Sequence, residues 1–246
     1  MSGVDFFDRR AARYERARPQ YPAELWQRLR GLDVLRPRSK VLEIGAGTGE
    51  ATQVFVDAGA EVTAVEPGIE LARRLRLRSP GATVVRSRFE EAELDESAYD
   101  VACSATALHW LDLDVALPKL HRALVPGGLL AVWWTTFGDP SVRTEFRDLV
   151  DEIVARRTPS PRRHPSFLDG EAWLALLGAG GYFAPLEHQQ FRWGIRLSAA
   201  QIRDLFGTFS NWSNAEVDDA ARAVDRLGGA VDEHYVTALL VCRATR

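Results

Sequence analysis

A short apolar run that ends in three closely spaced glycines constrains this chain more than any other feature. The run from Val41 to Ile44 suits a strand that is buried on both faces. Gly45, Gly47 and Gly49 follow directly, and glycine permits a tight turn that a ligand approaches closely. Helical spacing of apolar residues predicts a helix from Glu50 to Ala58. The pattern therefore predicts the strand-to-helix corner at which a doubly wound α/β sheet binds a nucleotide.

The spacing of the glycines distinguishes between nucleotides. A dinucleotide fingerprint, G-x-G-x-x-G, needs a small residue three places after its second glycine so that helix and strand can pack. Glu50 occupies that place, and the third glycine comes one place earlier, at Gly49. Glu43 stands two places before the first glycine, where a carboxylate would repel a pyrophosphate but attract an ammonium or sulfonium group. These acids argue against an NAD-dependent oxidoreductase, which is kept as an alternative.

The stretch from Glu43 to Gly49, Glu-Ile-Gly-Ala-Gly-Thr-Gly, resembles the first motif of the class I S-adenosylmethionine-dependent methyltransferases, an acid followed by G-x-G-x-G. The resemblance implies an α/β fold, a doubly wound and mainly parallel seven-stranded sheet of Rossmann-like type. It also implies S-adenosylmethionine as the methyl donor, bound at this corner with Ala46 among its contacts. The Leu-x-Pro-Gly-Gly turn at 124–128 matches the same superfamily.

Residues after the second and third predicted strands are placed to contact a nucleoside. Glu66 ends a strand about 20 residues past the first glycine, where an acid accepts hydrogen bonds from both ribose hydroxyls, and Pro67 begins the next turn. The resemblance implies an acid after the third strand that accepts from the adenine amino group, beside an apolar neighbour. Glu90 and Phe89 match those two places, with Glu91 as an alternative for the acid.

A central strand beginning at Tyr99 runs through Ser104 and Ala105 toward His109. Open α/β sheets place their ligands at the carboxyl ends of the strands, so Ser104 and Ala105 are predicted to contact the methyl donor. His109 is the candidate general base for a protonated acceptor, and a role in holding the loop by hydrogen bonds is an equal alternative. Tyr14 is a second catalytic candidate. The tetrad Asp/Asn-Pro-Pro-Tyr/Phe of enzymes that methylate nucleic-acid bases is missing here.

The N-terminal segment contributes one further candidate, Arg18. Residues 5–18 are predicted to form one helix that is stopped by two prolines, followed by a second helix from about Ala23 to Leu32. The pattern of Tyr14, Arg18-Pro19 and Tyr21-Pro22, with Ala-x-x-Leu-His-Trp at 105–110, is similar to a small-molecule group around trans-aconitate methyltransferase. That resemblance implies a helix covering the methyl donor. Arg18 then binds a carboxylate of the donor or of the substrate, or else forms a surface ion pair.

The regular alternation of strands and helices loosens between about residues 138 and 229. Four helices are predicted there, with caps at Asp169, at Ser198 and in Ser213-Asn214-Ala215-Glu216, and one strand near Leu186 to Trp193. A basic run at 156–165 is predicted to be a solvated loop, because it lacks interleaved aromatics, with an anion or nucleic-acid contact as the alternative. We divide the chain into N-terminal helices and cofactor-binding core (1–137), a mainly helical lid and substrate region with one sheet strand (138–229), and a final core strand (230–246).

Composition excludes several partners. The formal net charge of −3 gives no general attraction for nucleic acid. No signal-like N-terminus and no run of about 18 apolar residues is present, which predicts a cytoplasmic protein without a membrane partner. Cys103 and Cys242 lie in apolar runs and are predicted to be buried thiols. The five histidines show no metal-binding spacing, so no metal site is predicted.

The resemblance predicts an S-adenosylmethionine-dependent methyltransferase that acts on a small molecule with a carboxylate or hydroxyl acceptor. A general base is needed only for an acceptor that carries a proton. The alternatives are an NAD-dependent oxidoreductase, a non-catalytic interaction protein that keeps the fold, and a protein methyltransferase. The sequence leaves the acceptor and the oligomeric state open.

Overall fold

The computed structural model describes residues 3–158 and 164–245, which form one seven-stranded sheet with helices on both faces. The sheet order is β3-β2-β1-β4-β5-β7-β6. The first five strands in that order pair in parallel, and β7 runs antiparallel between β5 and β6. The strands are β1 (Lys40–Ile44), β2 (Glu61–Val65), β3 (Thr83–Val85), β4 (Tyr99–Ala105), β5 (Leu124–Phe137), β6 (Phe183–Ser198) and β7 (Ala230–Ala244). This confirms the predicted mainly parallel, doubly wound sheet.

Ten α-helices accompany the strands in the described part of the chain. Asp169, Ser198 and Ser213 cap three of them, as the sequence predicts, and the two serines form complete capping boxes. The helices are α1 (Gly3–Asp8), α2 (Ala11–Ala17), α3 (Ala23–Gly31), α4 (Glu50–Asp57), α5 (Ile69–Arg78), α6 (Leu113–Ala123), α7 (Glu145–Ala155), α8 (Gly170–Gly178), α9 (Ala199–Phe206) and α10 (Asn214–Arg226).

The N-terminal segment differs from its prediction, because two helices replace the single helix expected over residues 5–18. Asp8, at the end of α1, accepts hydrogen bonds from the backbone N–H groups of Glu70 (2.7 Å) and Leu71 (3.1 Å) at the start of α5. An acid at a helix N-terminus satisfies groups that have no partner within the helix. This contact with a distant element accompanies the break before α2.

Two neighbouring tryptophans on β5 divide the core between the faces of the sheet. Successive strand residues point to opposite faces. Trp134 belongs to the cluster that contains Leu120 and Trp173, under α6 and α8. Trp133 belongs to the cluster that contains Leu25 and Phe55, under α3 and α4. Both tryptophans are completely buried, so they support the core on either side of the sheet.

A third cluster joins α7, α9 and α10 to the ends of β6 and β7, and Phe137 at the end of β5 packs against it. Half of the basic run at 156–165, residues 159–163, lies outside the described residues. Arg157, near its start, is not a freely solvated side chain, since its Nε is 2.7 Å from a carboxylate oxygen of Glu216.

Cys103 and Cys242 are buried free thiols, as predicted. Among the described residues no helix combines the length and the apolar character needed to cross a bilayer.

Candidate active site

A cavity of about 790 Å³ opens at the carboxyl ends of β1, β2, β4 and β5. Its size lies in the range of small-molecule sites. Strand ends meet at this edge of a parallel sheet, so residues far apart in sequence come together there. The predicted site residues that line the cavity are Tyr14, Arg18, Gly45, Gly47, Glu66, Pro67, Phe89, Glu90, Ala105 and His109. The predicted residues that do not line it are Glu43, Ala46, Gly49 and Ser104.

The three glycines after β1 all have positive φ, but each is needed for a different reason. A Cβ on Gly45 would lie 2.4 Å from the Cβ of Ala107, and one on Gly49 would lie 2.6 Å from Cδ1 of Leu75. Gly47, in contrast, has φ +59° and no heavy atom within 4 Å of the place a Cβ would take. Gly47 is thus the position where the backbone turn borders open space that a ligand can enter.

Glu66 lies beside that turn at the end of β2 and is 4% exposed. One carboxylate oxygen accepts from the backbone N–H of Gly47 (2.9 Å), and the other accepts from the backbone N–H of Gly68 (2.8 Å). Burial raises the pKa of Glu66, and the two backbone hydrogen bonds oppose that rise. Because each carboxylate oxygen can accept more than one hydrogen bond, Glu66 keeps acceptor capacity in a fixed orientation toward the cavity. This arrangement fits a ribose diol.

Glu43 does not face the cavity, contrary to the charge argument made from the sequence. Its carboxyl is 1% exposed and accepts a hydrogen bond from Oγ1 of Thr52 at 2.6 Å. Burial raises the pKa of Glu43 to about 8, so the group is mostly protonated at neutral pH. Ser104 is also buried and donates to the backbone oxygen of Ile44 at 3.2 Å. Both residues brace the strands beneath the corner and do not touch the cavity.

The turn after β3 decides between the two candidate acids. Glu90 lines the cavity, whereas the side chain of Glu91 is 70% exposed and lies outside it. Phe89 is buried and lines the cavity beside Glu90. Nζ of Lys119 donates to the backbone oxygens of Glu90 (3.0 Å) and Ala92 (2.5 Å), which holds the turn in place. Of the two candidate acids, Glu90 is therefore the one that faces the cavity.

His109 is held in a form that disagrees with the predicted general base. Nε1 of Trp134 donates a hydrogen bond to Nδ1 of His109 at 3.2 Å, so the proton of the neutral ring is on Nε2. Burial lowers the pKa of His109 to about 4, with a smaller contribution from His164. The ring also lies 4.9 Å from that of Phe167. The structure supports the alternative interpretation, in which His109 holds its loop and offers only a hydrogen-bond donor to the cavity.

Arg18 is enclosed by aromatic rings. Its guanidinium carbon lies 4.8 Å from the ring centre of Tyr14 and 5.0 Å from those of Phe137 and Phe209. Its Nε and Nη2 donate to Oγ1 and the backbone oxygen of Thr208, at 3.0 and 3.3 Å. Within residues 3–158 and 164–245 no carboxylate forms an ion pair with Arg18, so the surface ion pair is not the arrangement observed. Burial raises the pKa of Tyr14, which therefore stays protonated.

The sequence analysis assigned residues 138–229 to a substrate region but named no individual residue of that region that lines the cavity. Arg147, from α7, lines it, and its guanidinium pairs with the buried carboxylate of Glu233, Nε to Oε1 at 2.9 Å. The other residues after 134 that line the cavity are Thr135, Thr136, Phe137, Phe167, Phe206, Phe209, Ser210, Asn211 and Trp212. Phe206 lies on the apolar face of α9 with Ile202 and Leu205, and helical spacing alone does not distinguish a face toward a cavity from one toward the core.

The two parts of the cavity differ in chemistry. Glu66, Glu90 and the open turn at Gly47 suit a polar nucleoside. Aromatic rings around Arg18 suit a second ligand with an apolar body and an anionic group. The described residues contain no group of three or more His, Cys, Asp or Glu side chains arranged to hold a metal ion.

Comparison with known proteins agrees with this geometry. Residues 42–132 match a methyltransferase domain family. The chain is 31% identical over 184 residues to a malonyl-[acyl-carrier protein] O-methyltransferase of Enterobacter lignolyticus, covering 71% of this chain and 69% of that protein. It is 29% identical to an uncharacterized methyltransferase of Mycobacterium tuberculosis, covering 90% and 83%. A solved structure assigned as a type II methyltransferase of Anaeromyxobacter dehalogenans superposes with a TM-score of 0.68 at 26% identity, covering 93% and 98%.

Proposed function

The chain belongs to the class I S-adenosylmethionine-dependent methyltransferases, and from this premise we propose that it methylates a small molecule in the cavity beside β5. The observation that carries the proposal is the position of the Glu66 carboxylate at the edge of the cavity. Its carboxylate is held by two backbone N–H groups next to the open turn at Gly47, where a ribose diol would be bound. S-Adenosylmethionine, when bound, supplies a methyl group on a positively charged sulfur.

The residues of the chain have separate tasks in this proposal. Glu66 binds the ribose, while Glu90 and Phe89 contact the adenine from the turn after β3. Tyr14 and Arg18 close the cavity on the side of α2. Because methyl transfer is a direct displacement, aligning the acceptor with the methyl carbon and excluding water contribute most of the rate, about 7–11 kcal/mol through positioning.

The acceptor in this proposal is a small molecule with a carboxylate or a hydroxyl group. Support comes from the enclosed shape of the cavity and from Arg18, whose planar guanidinium matches a carboxylate. One relative is named a malonyl-[acyl-carrier protein] O-methyltransferase, which favours oxygen as the acceptor atom. The narrower resemblance to the trans-aconitate group stays a prediction.

We also propose that residues 138–229 act as the cover of the acceptor site, because Phe206, Phe209 and Trp212 of this region line the cavity. The division of the chain at residue 137 rests on this role. A cytoplasmic location and the absence of nucleic-acid and membrane partners remain predictions from the sequence.

Calorimetry and a transfer assay test the proposal together. S-Adenosylhomocysteine should bind with a dissociation constant below about 100 µM, and NADH should not bind. Label from methyl-radiolabelled S-adenosylmethionine should pass to small acceptors but not to bulk protein. Binding of NADH without S-adenosylhomocysteine would favour the oxidoreductase. Binding of S-adenosylhomocysteine without transfer of label to any small acceptor would favour the non-catalytic interaction protein.

A further inference from the structure

Helix α5 presents an outer face that leaves two large apolar side chains in solvent. Ile69 and Leu77 are 66% and 70% exposed, more than any other large apolar side chain in the described part of the chain. Arg73 and Arg76 lie between them, because the four positions span only about 100° of the helical turn. Ile69 and Leu77 are about 12 Å apart along the helix axis. We call these four residues the α5 face.

The α5 face belongs to a strongly basic stretch of an otherwise acidic chain. Residues 69–88 contain six arginines and one glutamate, a formal charge of +5, whereas the whole chain carries −3, so the other residues together carry −8. Five acids follow between 90 and 96, but that segment lies toward the opposite face of the sheet. Ala92 packs in the cluster under α6, whereas Leu75 of α5 packs in the cluster under α3 and α4. The positive charge is therefore concentrated on the side of α5.

Only part of this positive charge is neutralised by neighbouring acids. Glu70 is shared by Arg73 and Arg74, whose nitrogens lie 2.6 and 3.1 Å from the same carboxylate oxygen. Arg76 donates to a backbone oxygen at 3.4 Å. Neither Arg76 nor Arg86 lies within ion-pair distance of a carboxylate in the part of the chain that the structure describes. The α5 face thus combines apolar contacts with guanidinium groups that can still bind anions.

Two kinds of occupant fit this combination poorly. If two α5 helices packed antiparallel about a two-fold axis, Ile69 of each copy would cover Leu77 of the other, but Arg73 and Arg76 of both copies would meet between them. Like charges held together in this way repel each other. The phosphates of a nucleic acid would pair with the arginines but would leave both apolar side chains uncovered. Carboxylates and apolar groups must come from the same partner.

We propose that the α5 face docks an acidic amphipathic helix of another protein. Apolar side chains on one stripe of that helix cover Ile69 and Leu77, and carboxylates beside the stripe pair with the arginines of the face. Leu71, on the inner side of the same helix, lines the cavity. A partner docked on α5 therefore lies beside the active site without entering it. This role does not depend on the identity of the methyl acceptor.

Three hydrocarbon-stapled helical peptides test the chemistry of the surface on the full chain. The first carries leucine along one stripe and glutamate elsewhere; the second has serine in place of leucine, and the third has lysine in place of glutamate. Fluorescence anisotropy at about 0.05 M salt should give the first peptide a Kd below about 100 µM and the other two at least about tenfold weaker binding. No binding of the first peptide, or equal binding of all three, would overturn the proposal.

Charge reversal locates the electrostatic part of this binding. Arg73→Glu/Arg76→Glu should weaken the first peptide at least about tenfold. Arg222→Glu/Arg226→Glu changes two exposed arginines on α10 and is the matched control, which should bind the peptide like the wild type. Equal weakening in both double variants would show that only the overall charge matters and would refute docking on α5.

Removal of the apolar side chains tests the second half of the interface. Ile69→Ser/Leu77→Ser should also weaken the first peptide at least about tenfold. Val115→Ser, on α6, is the matched control because Val115 is 43% exposed and lies on another helix. Unchanged affinity in Ile69→Ser/Leu77→Ser would refute the helix-to-helix contact. All four variants should bind S-adenosylhomocysteine within about threefold of the wild type, which shows that they fold.

Other occupants of the α5 face give distinct results. Sedimentation equilibrium should show no self-association through this face, and a dimer that Arg73→Glu/Arg76→Glu dissociates would assign it to a second copy. Binding of phosphatidylglycerol vesicles or duplex RNA that the same variant abolishes, without binding of the first peptide, would assign it to a membrane or a nucleic acid. Each of these results would overturn the proposal. If wild-type protein binds the peptide but not S-adenosylhomocysteine, the proposed function fails and the docking surface stands.

Discussion

Replacing Glu66 with alanine should weaken the binding of S-adenosylhomocysteine by at least about tenfold. The carboxylate is 4% exposed, and each oxygen is fixed by one backbone N–H, so little reorganisation is needed when a ribose arrives. A hydrogen bond to a charged group contributes about 1.5–3 kcal/mol, and 1.4 kcal/mol corresponds to a factor of ten. Loss of one such bond therefore predicts a decrease of roughly 10- to 150-fold, and loss of both predicts more.

The variant also removes the acceptors of the N–H groups of Gly47 and Gly68, so a loosened turn would lower affinity without any ribose contact. An analogue lacking the ribose 2′-hydroxyl separates the two effects. Wild-type protein should bind the deoxy analogue at least about tenfold more weakly than the parent, whereas Glu66→Ala should bind both almost equally. Glu61→Gln, at the exposed start of the same strand, is the matched control and should bind like the wild type.

Isothermal titration calorimetry measures these affinities, with thermal unfolding as a check on folding. Unchanged affinity in Glu66→Ala would refute the assignment of this residue to the donor site. A variant that loses affinity but still discriminates against the deoxy analogue as strongly as the wild type would refute the ribose contact and leave Glu66 only a role in shaping the turn.

Three stability predictions follow from buried groups. Burial raises the pKa of Glu43 from an ordinary 4.5 to about 8 in the folded state, so the folded state binds more protons than the unfolded state between those pH values. The free energy of unfolding should therefore fall by a few kcal/mol, relative to that of Glu43→Gln, as pH rises from 4.5 to 8. Denaturant unfolding that depends on pH in the same way in both proteins would contradict this. Gly47→Ala should lower the free energy of unfolding by about 1–2 kcal/mol, because Gly47 has a positive φ. Gly31→Ala, at the end of α3 with open space around it, should not lower it. Equal shifts of the denaturation midpoint in the two variants would contradict the argument from backbone strain. Arg147→Met should lower the free energy of unfolding by about 3–5 kcal/mol, because Glu233 is left buried and unpaired. Adding Glu233→Leu should restore part of that stability. A double variant less stable than Arg147→Met would refute this.

Features that local sequence governs were predictable. The apolar run before the glycines forms β1, the capping boxes at Ser198 and Ser213 begin helices, and Glu66 lies at the strand end where the glycine spacing placed it. Each depends on residues a few positions apart, or on a spacing that the parallel sheet converts into proximity. The sheet class followed because strand and helix patterns alternate along residues 40–137.

Features that depend on distant partners were not predictable. Exposure of Glu43 is decided by Thr52 on the next helix, and the proton on His109 is decided by Trp134, which is 25 residues away in sequence. Arg147 carried no motif, and it reaches the cavity because α7 packs against α10 and because its guanidinium pairs with Glu233 on β7.

The contact between Gly45 and Ala107 limits how this pocket can diversify. The loops after β1 and β4 touch so closely that a methyl group on one would overlap the methyl group of the other. A side chain at position 45 would force the two strand ends apart, and the crevice between them would widen. A substitution at position 45 therefore changes the whole crevice, whereas a substitution at Phe209 or Trp212 changes only the cavity wall that these residues form.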